Sequence, residues 1–101
     1  MNADKERRQN RRYDLSIPIV IDVPGEARDV AGQTRDIGTA GVYFVTEKKF
    51  EVGDQITFIL SLPPDITLAG VVRVKGHGIV LRVNTAGGVA VSIQRYEFLP
   101  Q

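Results

Sequence analysis

From Leu15 onward, apolar side chains recur at every second position. Ile17, Ile19, Ile21 and Val23 share one parity, while Ser16, Pro18 and Asp22 fall on the other. That is the pattern of a strand with one face buried. Pro18 predicts that this strand lies at an edge or bends, and Pro24-Gly25 then turns the chain. Arg28 to Ile37 is polar and weakly patterned, and is predicted as a second strand. Val42 to Val45, β-branched and aromatic, predicts a third. Glu51-Val52-Gly53-Asp54 reads as a turn before Gln55–Leu62, where Ile56, Phe58, Leu60 and Leu62 share a face. Pro63-Pro64-Asp65 ends that strand. Leu68, Val72 and Val74 then alternate with Val71, Arg73 and Lys75, and Lys75-Gly76-His77-Gly78 predicts a hairpin. Ile79, Leu81 and Val83 make the following strand, Asn84 to Gly88 a loop, and Val89, Val91 and Ile93 the last strand. Helix is expected only at residues 3–10 and as a turn near Gln94–Phe98.

Turn signals therefore recur about every 8–12 residues with no long helical stretch between them, which predicts an all-β fold. A small antiparallel β-barrel of six to seven strands is favoured, because closure hides strand edges from water. A length of 101 residues suits one domain. Apolar residues at 43% and charged residues at 25% are ordinary for a globular chain. The expected organisation is a flexible basic arm over 1–12 and a single barrel over 13–101.

Composition removes several chemistries. The chain has no cysteine, which excludes disulfides, thiolate nucleophiles and cysteine-held zinc. Its one histidine, His77, falls in the predicted hairpin. Ser16, Ser61 and Ser92 lie in predicted strands, away from any nucleophile-elbow glycine motif. The acidic residues are scattered, with no pair spaced like a metal cage. The expectation is a binding protein rather than an enzyme, with no metal and no cofactor. The first residues are charged from Asp4 onward, so neither a secretory leader nor membrane insertion is expected, and a cytoplasmic location is.

Charge sharpens this picture because it is unevenly spread. In residues 1–12, Lys5, Arg7, Arg8, Arg11 and Arg12 outweigh Asp4 and Glu6 to give +3; residues 13–101 carry eight bases against ten acids, or −2. A basic arm on a mildly acidic body points to a localised anion site. Each guanidinium is a planar fork that matches phosphate oxygens, pairs with guanine O6 and N7, or stacks on a base. Arg8 and Arg12 share a parity if the arm is extended and lie one turn apart if it is helical, so both reach one ligand either way. Arg7 and Arg11 repeat that spacing.

A second candidate element is Asp36-Ile37-Gly38-Thr39-Ala40-Gly41, between two predicted strands. Asp36 is an acceptor suited to the N1–H and N2–H₂ donors of a guanine. Gly38 and Gly41 are expected to permit positive φ and a close backbone approach, and Thr39 adds a hydroxyl.

Arg8-x-x-x-Arg12, 23 intervening residues, then Asp36-x-Gly38-x-x-Gly41 resembles the PilZ domain family, whose pattern is an Arg-x-x-x-Arg arm followed by an Asp/Asn-x-Ser-x-x-Gly turn. Arg12-Tyr13-x-Leu15-x-Ile17-Pro18-Ile19, Gly41-Val42-Tyr43-Phe44 and Val52-Gly53-Asp54-x-Ile56 are similar to that family's first strand, second motif strand and mid-domain turn. The resemblance implies a six-stranded barrel that binds cyclic di-GMP and passes the signal to a protein partner. Arg8 and Arg12 would grip phosphate and the guanine Hoogsteen edge, Asp36 the Watson–Crick side, and Gly41 would keep the turn open. Arg7 would support them, with Arg11 and Thr39 as further candidates. Gly38 departs from the pattern, standing where the family has serine. Two other readings remain: a PilZ-like protein adaptor without nucleotide, serving pili or motility, and a small nucleic-acid-binding barrel. The latter is less favoured, because aromatic stacking platforms are few.

Overall fold

The computed structural model describes residues 12–100, with Arg12 described by its backbone alone. Among the described residues, seven strands and one short helix follow one another: β1 (Arg12–Tyr13), β2 (Pro18–Asp22), β3 (Val30–Gly38), β4 (Gly41–Thr46), β5 (Gln55–Leu62), α1 (Pro64–Thr67), β6 (Val72–Val83) and β7 (Gly88–Leu99). All pairings are antiparallel. The ladder runs β3-β2-β5-β6-β7-β4, and β4 pairs back onto β3, so six strands close a barrel. The two-residue β1 adds to the end of β3.

The barrel interior is filled by the parity seen in the sequence. Ile19 and Ile21 of β2, Val42 and Phe44 of β4, Ile56, Phe58 and Leu60 of β5, and Val89 and Val91 of β7 are all buried. Phe50, from the loop after β4, closes on Phe44 edge-to-face, with ring centroids 6.2 Å apart. Each such side chain contributes roughly 1.5–3 kcal/mol of transfer free energy. A one-residue slip of β5 would turn three of them to water, and this holds the register.

Four local expectations are corrected. Lys75-Gly76-His77-Gly78 is not a hairpin but the middle of β6. The glycines there answer a packing demand, because a Cβ on Gly76 would enter the Phe58 ring and one on Gly78 would meet the Ser92 carbonyl. His77 is accordingly half-buried in a strand, with Nδ1 3.2 Å from the Thr57 hydroxyl. Gln94–Phe98 is not a helical turn but part of β7; Gln94 has no partner on β6, whose ladder steps from His77↔Arg95 to Gly78↔Ile93. The one described helix is α1 instead, started by Pro64 and stopped by Leu68 in the left-handed region (φ 63°). Ile79, Leu81 and Val83 do not make a separate strand but continue β6, where Val80 is fully buried while Leu81 and Val83 are exposed. Pro18 does not mark an edge. It is the first residue of β2, a strand paired on both sides, and there its missing N–H is tolerated. The helix expected at 3–10 and the flexibility expected for the arm lie outside the described residues.

Candidate functional site

The root of the basic arm is fixed by β3. Arg12 stands opposite Gly38 and Tyr13 opposite Ile37. Between β1 and β2 the chain stays on β3 through Thr34, which is fully buried. The Thr34 hydroxyl accepts from the Ile17 N–H at 2.9 Å and donates to the Leu15 carbonyl, and the Thr34 N–H donates to the Ile17 carbonyl at 2.9 Å. On the exposed side, Gln33 Nε2 donates to the Ser16 hydroxyl at 3.1 Å. Residues 12–17 are thus stitched along the strand that carries Asp36.

Two bulges set the outer face of the barrel. In β3 the ladder steps from Thr34↔Phe44 to Asp36↔Tyr43, leaving Arg35 without a partner. In β6 it steps from Val80↔Val91 to Arg82↔Ala90, leaving Leu81 extra. Each bulge inverts the parity beyond it. Asp36 therefore turns outward like Tyr43, and Arg82 turns outward like Ala90. Because Tyr43 also pairs with Ala90, the residues Asp36, Tyr43, Ala90 and Arg82 form one row across four strands. Three strand spacings separate its ends, about 14 Å of sheet.

Two adjoining hollows lie along this row, of about 410 and 450 Å³, and share Asp36, Tyr43, Leu81 and Arg82. The first also takes in Gly38, Gly41 and Ser92; the second adds Val52, Val83 and Asn84. Glycine is required at 41 by approach: a Cβ there would stand 2.7 Å from the Val91 carbonyl oxygen. Neither Gly38 nor Gly41 has positive φ, which falls instead at Gly25, Gly53, Gly70 and Gly87, so the expected left-handed turn is replaced by extended strand ends joined through Thr39-Ala40. Tyr43 is clamped. Asn84 Nδ2 donates to its hydroxyl at 2.8 Å, while Asn84 Oδ1 accepts from the Gly88 N–H at 2.9 Å and the Ala86 N–H at 3.0 Å. A side chain at Gly88 would collide with the Tyr43 hydroxyl.

The structure thus brings Asp36, Gly38 and Gly41 into one hollow, with the Arg12 backbone beside Gly38. Thr39 instead lines a neighbouring apolar cavity of about 580 Å³ at the barrel end, with Tyr13, Phe58 and Tyr96, and Gly38 stands between the two. Arg7, Arg8, Arg11 and the Arg12 side chain lie outside the described residues. Sequence reasoning missed Arg82 and Tyr43. Strict alternation puts Arg82 opposite in parity to Leu81 and Val83 and gives it no link to Asp36. Arg82 is exposed and beside the apolar Leu81, Val83 and Val52, so this end of the row offers a guanidinium next to a surface for a flat base. No helix among the described residues is long and apolar enough to cross a membrane.

Comparison with known proteins agrees with this architecture. The PilZ domain family model matches residues 6–97, a span that takes in both the arginine pair and the Asp36–Gly41 turn. Among solved structures, the chain is similar to the inhibitor of motility MotI/DgrA of Bacillus subtilis, with a TM-score of 0.74 and 16% sequence identity. The match covers 90% of this chain and 44% of that one, so the chain spans less than half of the neighbour's length and shares its fold. No curated protein matches the chain.

Proposed function

The chain belongs to the PilZ domain family, and from that premise we propose that it is a receptor module for cyclic di-GMP. One observation carries the reading: the Arg12–Gly38 pairing sets the end of the arginine arm on the strand that bears Asp36. A ligand with two guanines and two phosphates needs cationic forks, an acceptor for guanine donors and a wall for a flat base. Arg8 and Arg12 bind phosphate and guanine O6 and N7, with Arg7 and Arg11 in support. Asp36 accepts from guanine N1–H and N2–H₂. Gly38 and Gly41 let the ligand lie against the backbone. Arg82, three strands away, lines the same two hollows as Asp36 and adds a further guanidinium fork for a phosphate or a base.

Output passes through a protein partner, because the barrel offers a binding surface rather than a reaction centre. The fold neighbour is an inhibitor of motility, and control of motility is the first output to examine. A cytoplasmic location follows from the ligand. Titration calorimetry of the purified chain with cyclic di-GMP is expected to show micromolar or tighter binding, most of it lost in Arg8→Ala and Arg12→Ala. No heat at high-micromolar ligand overturns the proposal.

Gly38 supports one other reading, an adaptor that binds protein without nucleotide, since the hydroxyl of the family pattern is missing there. Calorimetry that stays silent for both the wild type and Gly38→Ser supports that reading instead.

A further inference from the structure

Strand β7 runs past the point where the barrel closes. Its last partner on β4 is Gly41, opposite Ser92, and the Ile93 N–H then donates to the Ala40 carbonyl at 3.0 Å. Arg95 to Leu99 pair with β6 alone. Among the described residues no strand lies along their other edge, and an edge of this kind is a template for another strand. Side chains alternate along it. Tyr96 and Phe98 stand opposite Gly76 and Val74 and line the barrel-end cavity, yet they are 51% and 65% exposed. Arg95 and Glu97 face the other side, are exposed, and make no ion pair with a described residue, although Lys75 stands opposite Glu97 and His77 opposite Arg95.

We propose that this edge pairs antiparallel with the same edge of a second copy of the chain, about a two-fold axis at Tyr96. The axis is selected by charge. A two-fold between antiparallel strands must pass through a residue pair, so that paired side chains share a face. An axis at Arg95 or Glu97 sets like charges opposite each other, which is destabilising. An axis at Phe98 leaves both charges without opposite-charge partners. The axis at Tyr96 sets Arg95 opposite the partner's Glu97 and Glu97 opposite the partner's Arg95. It also brings the two Tyr96 rings together on the apolar face, over the cavity that each barrel leaves open. The paired segment is short, so the interface sits at the small end of specific ones, and a dissociation constant on the order of micromolar is expected.

Sedimentation of the full chain, from low micromolar to near millimolar concentration, tests this. The mean mass is expected to rise toward twice that of the monomer. Arg95→Glu and Glu97→Arg, each at an exposed position, are expected to weaken association at least about tenfold, and the double swap R95E/E97R to restore it. Because the chain has no cysteine, Tyr96→Cys is a clean probe: facing Cα atoms about 4.5–5.5 Å apart in an antiparallel pair are within disulfide reach, so oxidation is expected to link two copies. A wild type that stays monomeric throughout overturns the proposal. Single variants that associate as well as the wild type overturn the edge as the interface, and a swap that stays monomeric overturns the Tyr96 axis.

Discussion

Asp36 and Arg82 stand at the two ends of one cross-strand row, and each is there because its strand carries one residue more than its neighbour. Were Arg35 paired with Tyr43 instead of bulged, Asp36 would stand opposite Val42 and point into the barrel; were Leu81 paired with Ala90, Arg82 would stand opposite Val89. The row makes Arg82 a ligand contact under the receptor proposal. A hydrogen bond to a charged group is worth about 1.5–3 kcal/mol, so Arg82→Ala is expected to weaken cyclic di-GMP binding roughly tenfold or more. The side chain is exposed, so the melting temperature should stay within a few degrees of wild type. Calorimetry beside a thermal melt checks both parts.

Gly38 lines the same hollow as Asp36 and sits opposite Arg12. Restoring the family's hydroxyl with Gly38→Ser adds one hydrogen-bonding group at that point. A net gain of about 0.5–1.5 kcal/mol corresponds to binding roughly three- to tenfold tighter. Parallel titrations of the two proteins measure it. A serine that weakens binding would show that the backbone approach at position 38, not the missing hydroxyl, is what the ligand uses.

The fold could be read from the sequence wherever alternation was unbroken. Ile17 to Ile21, Ile56 to Leu60 and Val89 to Ile93 keep strict parity, and all face the core. The closed barrel and the place of the Asp36–Gly41 turn between two strands could be read for the same reason. Misreadings gathered where a residue served two demands at once. Gly76 and Gly78 carry the composition of a hairpin, but they are glycine to admit the Phe58 ring and the neighbouring β7 backbone. Leu81 carries the composition of a core residue, yet as a bulge residue it is exposed. Bulges leave no local composition signal, because they arise from the registry between two strands distant in sequence. Arg82 and the row it completes stayed hidden for that reason, whereas the arginine arm and Asp36 became candidates through their resemblance to the PilZ pattern.

The Gly76–Phe58 contact gives a test of this packing account. A methyl at position 76 has to displace a fully buried ring. Overpacking of that kind costs about 1–3 kcal/mol, and in a domain of this size each kcal/mol lowers the melting temperature by roughly 4–8 °C. Gly76→Ala is therefore expected to melt well below wild type, and pairing it with Phe58→Leu is expected to recover part of the loss. Circular dichroism melts of the two variants measure this. A hairpin glycine at the surface would show neither the loss nor the recovery.

Thr34 links the core to the site. Its hydroxyl is buried and holds both the Ile17 N–H and the Leu15 carbonyl, the segment that leads back to Tyr13 and Arg12. Thr34→Val keeps the shape and removes the hydroxyl. It leaves the Ile17 N–H without its acceptor inside the barrel, a loss of about 1–3 kcal/mol, while Thr34→Ser keeps the bonds and loses only a methyl. The valine variant is expected to melt roughly 5–20 °C lower. Its binding of cyclic di-GMP, titrated well below the melting point, should also weaken, since residues 12–17 lose their tether to β3. The serine variant should bind as wild type does. If valine lowers the melt and leaves binding untouched, β1 is held at Gly38 by its own two-residue ladder, and the arm's root does not depend on Thr34.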